Sequence, residues 1–305
     1  MLGLMALPVR LLKVDDGGMS KQISVGYDGS PSSSEAVAWA AGEAAARGSR
    51  LRIVTCYEIP VIGDAAFWPT GDVYGLLLDG AEKSVSAMRT IVAQQHPGLE
   101  IVTDASAGPA TSALLADVEP EDLVVVGASS HAGASAFWLG STPRRVVRES
   151  PCPVVVVRGV ASRGRPDRVV VAVDGSPSSD LALRWAADEA DLHGVSLVVL
   201  HAWQYPYLPI DASSAQGHDI TRVDAACLLD RATEAARERC AADVVHALVE
   251  DTPVSALLET VHDGDLVVLG SRGRGAVRAG LFGSTVNGVL EQSAVPVVVV
   301  RGAAD

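Results

Sequence analysis

Ile23-Ser-Val-Gly-Tyr-Asp28-Gly-Ser-Pro-Ser-Ser33 returns 146 residues later as Val169-Val-Val-Ala-Val-Asp174-Gly-Ser-Pro-Ser-Ser179. Each run reads as a short β-branched strand that ends on an aspartate and turns through Gly-Ser-Pro into an alanine-rich helix. Trp39 returns as Trp185 at the same offset. Further on, Asp122-Leu-Val-Val-Val-Gly127 returns as Asp265-Leu-Val-Val-Leu-Gly270, Gly140-Ser-Thr142 as Gly283-Ser-Thr285, and Pro153-Val-Val-Val-Val-Arg158 as Pro296-Val-Val-Val-Val-Arg301, all at offset 143. The chain is a duplication.

Working outward, the repeat divides the chain into a first unit at 20–158, a linker at 159–166 rich in Gly, Pro and Arg, and a second unit at 167–302. Residues 1–19 open apolar but lack a basic n-region and a small-residue cleavage site, and Met19 stands just ahead of the first strand. They are expected to be a disordered or misassigned leader.

In the second unit strands are expected at 168–174, 196–202, 244–249, 265–270 and 296–301, with helices at 178–193, 221–241, 253–262 and 284–293. Leu266-Val-Val-Leu269 and Val297-Val-Val-Val300 are apolar at every position, so both faces of those strands must be covered, as parallel strands are by crossover helices. The expected fold is α/β: two tandem, doubly wound, five-stranded parallel sheets. Ser30-Pro31 and Ser176-Pro177 supply caps and first-turn prolines, and Gly48 and Gly194 sit where the same helices should stop. The last strand of each unit would be a bare valine edge, so the two Pro-Val-Val-Val-Val strands are expected to cover each other across a pseudo-twofold axis.

Composition narrows the function classes. The 305 residues carry 24 Lys and Arg against 37 Asp and Glu, a net charge of −13, and no cluster of basic residues. Such a surface repels phosphate backbones, so nucleic acid is not an expected partner. No stretch approaches the roughly 20 consecutive apolar residues of a membrane span. The four cysteines, Cys56, Cys152, Cys227 and Cys240, are far apart and form no CxxC, which points to reduced thiols and a cytoplasmic protein. His131, His193, His201, His218 and His262 have no carboxylate or second histidine at ligand spacing and read as structural or surface residues. Ile59–Gly80 and Pro206–Thr221, rich in Pro, Gly and Asp, read as long surface loops.

Ligands of open α/β sheets bind beyond the carboxyl ends of the strands. Asp28 and Asp174 end the first strand of each unit, where a carboxylate either caps the next helix or accepts hydrogen bonds from a ligand. The loop after the fourth strand of the second unit runs Gly270-Ser-Arg272-Gly273-Arg274-Gly275 and on to Gly283-Ser284-Thr285. It is either a plain flexible loop or a phosphate cradle. Glycines admit unusual backbone angles and close approach of amides, a helix start adds a positive dipole end, and Arg272 and Arg274 add positive charge to an acidic protein. It is no Walker A loop, because no GxxxxGK[ST] is present.

This pattern resembles the universal stress protein family, whose ATP-binding members carry G-x2-G-x9-G-[S/T] after the fourth strand and an aspartate ending the first. The resemblance covers both units almost end to end. It implies a Rossmann-like fold of adenine nucleotide alpha hydrolase type with strand order 3-2-1-4-5, which brings the aspartate and the glycine loop to one crevice. It further implies that Asp174 contacts the adenosine part, that the backbone near Ala202 faces adenine, and that Gly270, Gly273, Gly283, Ser284 and Thr285 hold the phosphates of ATP with magnesium. In the first unit Asp28, Gly127, Gly140, Ser141 and Thr142 match, but Ser130 stands where the second glycine belongs.

Three functions follow as alternatives. The first is an ATP-binding regulator of stress or growth that acts through its nucleotide-bound state, with at most slow hydrolysis, its two units paired within the chain and open to a further homodimer. The second is a nucleotide-independent interaction or scaffold protein. The third is an ATP-using transferase, disfavoured because Asp-Gly-Ser-Pro is neither an SGGxDS-like nor a HIGH-like loop.

Overall fold

The computed structural model describes residues 22–57, 73–128, 139–158, 164–204, 214–273 and 283–301. The leader at 1–19 lies outside them. The first half contains β1 (Gln22–Gly26), α1 (Pro31–Arg47), β2 (Arg50–Tyr57), α2 (Val73–Gln95), β3 (Ile101–Ala107), α3 (Ala110–Leu114), β4 (Leu123–Gly127), α4 (Ser141–Glu149) and β5 (Val154–Val157). The second half repeats the series as β6 (Arg168–Ala172), α5 (Pro177–His193), β7 (Ser196–Trp203), α6 (Ser214–Arg239), β8 (Val244–Glu250), α7 (Pro253–Thr260), β9 (Leu266–Gly270), α8 (Ser284–Gln292) and β10 (Val297–Val300).

Both halves have the order 3-2-1-4-5, and they join into one ten-stranded sheet, β3-β2-β1-β4-β5-β10-β9-β6-β7-β8. Pairing is parallel within each half. It is antiparallel only at the join, where Val297, Val298 and Val299 face Val156, Val155 and Val154. Val155 and Val298 are duplicates of one another, so the pseudo-twofold axis passes through their pairing. Two cross-bonds frame it: the Arg158 guanidinium donates to the Leu290 carbonyl (2.8 Å), and that of its duplicate Arg301 donates to the Arg148 carbonyl.

Why the strands are apolar throughout is visible in the layers. Val155, Val171, Leu197, Val199, Val268 and Val298 point into one core cluster together with α1, α2, α5 and α6 residues. Their neighbours Val154, Val156, Val170, Val198, Val267 and Val299 point into a second cluster with α4, α7 and α8. A strand alternates its faces with period two, and here both faces are buried.

The α1 and α5 punctuation follows the sequence reading. Ser30 and Ser176 cap the helix starts with their hydroxyls, and Gly48 (φ 63) and Gly194 (φ 64) close them in the left-handed region. The two expected long loops need correction. Val73–Gly80 belongs to α2 and Ser214–Thr221 to α6, so both helices begin earlier than composition suggested. Gly75, Gly80 and Gly217 lower helix propensity by about 1 kcal/mol each, which masked the helices, but packing against the sheet overrides that cost.

The join carries a stability prediction. Val155→Asp places a charge at a position with 0% exposure and is expected to cost at least about 4 kcal/mol, whereas Val102→Asp on the edge strand β3, 40% exposed, should cost less than about 1 kcal/mol. Chemical denaturation distinguishes them, and equal effects would contradict a buried join.

Candidate functional site

The site is built from two turns at the carboxyl edge of the sheet. After β6, Val173 N–H donates to Leu200 O (2.9 Å), Asp174 Oδ1 accepts from Ser176 N–H (2.9 Å), and Gly175 between them has φ 73. Ser176 Oγ then accepts from Ser179 N–H (3.2 Å) to cap α5. The first half repeats this with Asp28 Oδ1 and Ser30 N–H (2.9 Å), Gly29 at φ 81, and Ser30 Oγ with Ser33 N–H (3.1 Å). The aspartate therefore folds the turn and the serine caps the helix. Only glycine sits easily at the residue between them.

The second turn follows β9 and is stitched to the first. Ser176 Oγ donates to Arg272 O (3.3 Å), Arg272 N–H donates to Ser178 Oγ (3.3 Å), and the Ser178 and Ser271 hydroxyls lie 3.3 Å apart. The glycines here are required for a different reason from the one expected. Gly127, Gly140, Gly270, Gly273 and Gly283 are absent from the glycines with positive φ. A Cβ on Gly270 would fall 2.6 Å from the Ser178 carbonyl, and one on Gly127 would fall 2.7 Å from that of Ser32. A Cβ on Gly273 would lie 2.6 Å from Asp174 Oδ2. Close approach of the helix start to the strand end demands glycine, and unusual backbone angles do not. The crevice thus brings together Asp174, Gly270, Arg272, Gly273 and Gly283, the last with its would-be Cβ 3.8 Å from Gly273 N. In the first half Gly140 N–H donates to Ala128 O (2.8 Å), closing the corresponding loop. Ser130 and Arg274 lie outside the described residues.

Helix starts differ in a way that bears on ligands. α1, α5 and α7 are capped by Ser30, Ser176 and Thr252 side chains. α4 and α8 start behind Gly140 and Gly283, with no side-chain cap. The first-turn amides at Ser141 and Thr142, and at Ser284 and Thr285, are those a helix leaves for an outside acceptor, at its positive end. Ala202 lies on β7 opposite Val249, and the neighbouring His201 Nδ1 is 2.7 Å from Val173 O, so β7 ends beside the Asp174 turn. A cavity of about 860 Å³ opens beside that turn, between α5 and α6, lined by Val173, Gly175, Leu183, Leu228 and Arg231.

Three histidines depart from the sequence expectation, among them His262, whose Nδ1 lies 3.9 Å from Asp265 Oδ2. His218 Nε2 lies 2.9 Å from Glu250 Oε1, with its ring 5.0 Å from that of Trp203. His193 Nε2 lies 3.0 Å from Glu43 Oε2 and 3.3 Å from Glu189 Oε1, all three side chains almost wholly buried. Arg47 binds the other oxygens of both carboxylates and rests 5.5 Å above the Trp185 ring. Burial opposes a charge on His193, but the two carboxylates outweigh it and hold the ring up at about 9. Burial also opposes ionisation of both acids. For Glu43 the His193 and Arg47 contacts prevail and its carboxyl is lowered, whereas burial prevails at Glu189, which is raised. A readable signal existed: Glu43 and Arg47 are the duplicates of Glu189 and His193 at offset 146, each pair one helical turn apart.

The fold and the crevice define a tandem, doubly wound α/β protein with a glycine-lined gap where strand ends meet helix starts. A family model for the universal stress protein family matches residues 19–158 and 166–301. The chain belongs to that family. It is 30% identical over 292 residues to universal stress protein Rv2005c of Mycobacterium tuberculosis, spanning 92% of this chain and 96% of that one. Universal stress protein Rv1996 of the same organism is 32% identical over 308 residues, with 92% and 94% covered. Among solved structures, a universal stress protein from Archaeoglobus fulgidus superimposes with a TM-score of 0.66 at 21% identity, covering 93% of this chain and 99% of that one. The four cysteines are unpaired, and among the described residues no helix is long and apolar enough to cross a membrane.

Gly270→Ala and Gly283→Ala separate the two uses of glycine. The first forces a Cβ against the Ser178 backbone and should cost about 2 kcal/mol in denaturant melts, while the second should cost well under half of that. Equal losses would contradict the close-approach account.

Proposed function

We propose that each half, 20–158 and 167–302, carries a nucleotide crevice at the carboxyl edge of the sheet, and that the second crevice binds ATP. The observation that supports this most strongly is the pairing of an uncapped helix start at Gly283-Ser284-Thr285 with the Asp174 turn, in a protein that caps α1, α5 and α7 with its own hydroxyls. Triphosphate oxygens would accept from the first-turn amides of α8 and from the Ser284 and Thr285 hydroxyls, with Arg272 and Arg274 adding charge. Asp174 would accept from the sugar hydroxyls, and the Ala202 backbone would face the base. The residues fit such a ligand because Gly273 leaves open the space beside Asp174 Oδ2 that a side chain would fill. Magnesium bound with the nucleotide would neutralise phosphate charge. Asp28, Gly127, Gly140, Ser141 and Thr142 would form the corresponding first crevice, to which the sequence also assigns Ser130.

The protein then acts as a cytoplasmic regulator of stress or growth through its nucleotide-bound state. Hydrolysis is at most slow, because among the described residues the carboxylate placed in the crevice is Asp174, which already holds Ser176 N–H through Oδ1, and none of them is set aside as a base for water. Turnover is expected well below about one per second.

Adenine nucleotide released on denaturing the purified protein is expected at one to two equivalents per chain. None released, together with no binding of added ATP, would favour the nucleotide-independent scaffold. Asp174→Ala and Gly273→Glu should each weaken ATP binding at the second crevice at least tenfold in calorimetry, and full affinity in either variant contradicts the assignment.

A further inference from the structure

We propose that Glu43, Glu189 and His193 form a binding site for one divalent transition-metal ion of zinc type, at the seam between the two halves. The site lies at the ends of α1 and α5 that lead into β2 and β7, at the amino edge of the sheet, and is independent of the nucleotide crevice at the opposite edge.

The donor atoms already converge. His193 Nε2 stands 3.0 Å from Glu43 Oε2 and 3.3 Å from Glu189 Oε1, and one donor atom from each residue lies within 4.8 Å of the others. Metal–ligand bonds of about 2.0–2.2 Å at tetrahedral angles place neighbouring donors roughly 3.3 Å apart, so little movement is needed. One imidazole and two carboxylates are ligands that zinc accepts, with a fourth position left over.

Two further observations point to an ion. Glu189 is 1% exposed, and its Oε1 makes no hydrogen bond of normal geometry, only the 3.3 Å ion-pair contact with His193 Nε2. A buried carboxylate oxygen held only by so long a contact is costly, and a metal ion bound between it and the imidazole relieves it. The outer oxygens, by contrast, are held by Arg47, as an outer-sphere partner holds a metal-binding carboxylate. A cavity of about 180 Å³, lined by Arg47, Trp185, Asp188 and the starts of β1 and β4, adjoins the cluster on the Arg47 side.

Duplication explains why the site exists once. The pseudo-twofold axis sets Glu43 against its duplicate Glu189, but Arg47 against His193, so one side supplies the orienting cation and the other the imidazole. The seam needs both halves to be complete.

The test uses the full chain after treatment with a chelator. Co²⁺ titration is expected to give one equivalent per chain with visible absorption, lost on adding Zn²⁺, and Zn²⁺ should raise Tm. Glu189→Gln keeps an acceptor for Arg47, and it and His193→Ala should each weaken Zn²⁺ binding at least tenfold, while His218→Ala leaves it unchanged. Wild-type protein that takes up no stoichiometric Co²⁺ or Zn²⁺ overturns the proposal whatever the variants do. So does wild-type affinity in folded Glu189→Gln, or loss of binding in His218→Ala.

Discussion

A four-residue valine strand buried on both faces cannot be left at the edge of a sheet, and this chain has two of them. Their antiparallel pairing, centred on Val155 and Val298, removes both edges at once. It also fixes how the halves face each other. Once the axis runs through that pair, α1 meets α5, Glu43 meets Glu189, and Arg158 and Arg301 reach the carbonyls of the opposite half. The turns after β1 and β4, and after β6 and β9, lie in the middle of each half, away from the join.

Within each half, the crevice depends on helix starts being treated in two ways. α1 and α5 are finished locally: an aspartate folds the turn, glycine accepts the positive φ, and serine caps. α4 and α8 are left open behind a glycine. Since a helix start without acceptors is unfavourable, water or an anion must complete it. The capped start packs so tightly on the strand end that Gly127 and Gly270 have no substitute there, and this packing sets the distance between Asp174 and the open start of α8.

The sequence displayed the duplication, the sheet order through its family likeness, and the pairing of the valine strands, because these rest on strong apolar patterns. It hid the starts of α2 and α6, where glycine and polar residues mimic a loop and only packing restores the helix. The glycine loop is legible from its composition, but the unusual backbone angles expected of it are not found at Gly270, Gly273 and Gly283. Close approach to Ser178 and Asp174 is a tertiary fact that local patterns do not contain. The seam cluster was legible in principle, since Glu43-x3-Arg47 and Glu189-x3-His193 occupy duplicate positions. Arg47 in place of a second histidine concealed the correspondence.

The measurement that bears most directly on the nucleotide reading is a crystal structure of the full chain grown with ATP and magnesium. The account predicts phosphate density against the amides of Ser284 and Thr285, with the sugar beside Asp174. Density bound elsewhere, or a crevice filled by the protein's own loop at saturating nucleotide, would contradict it.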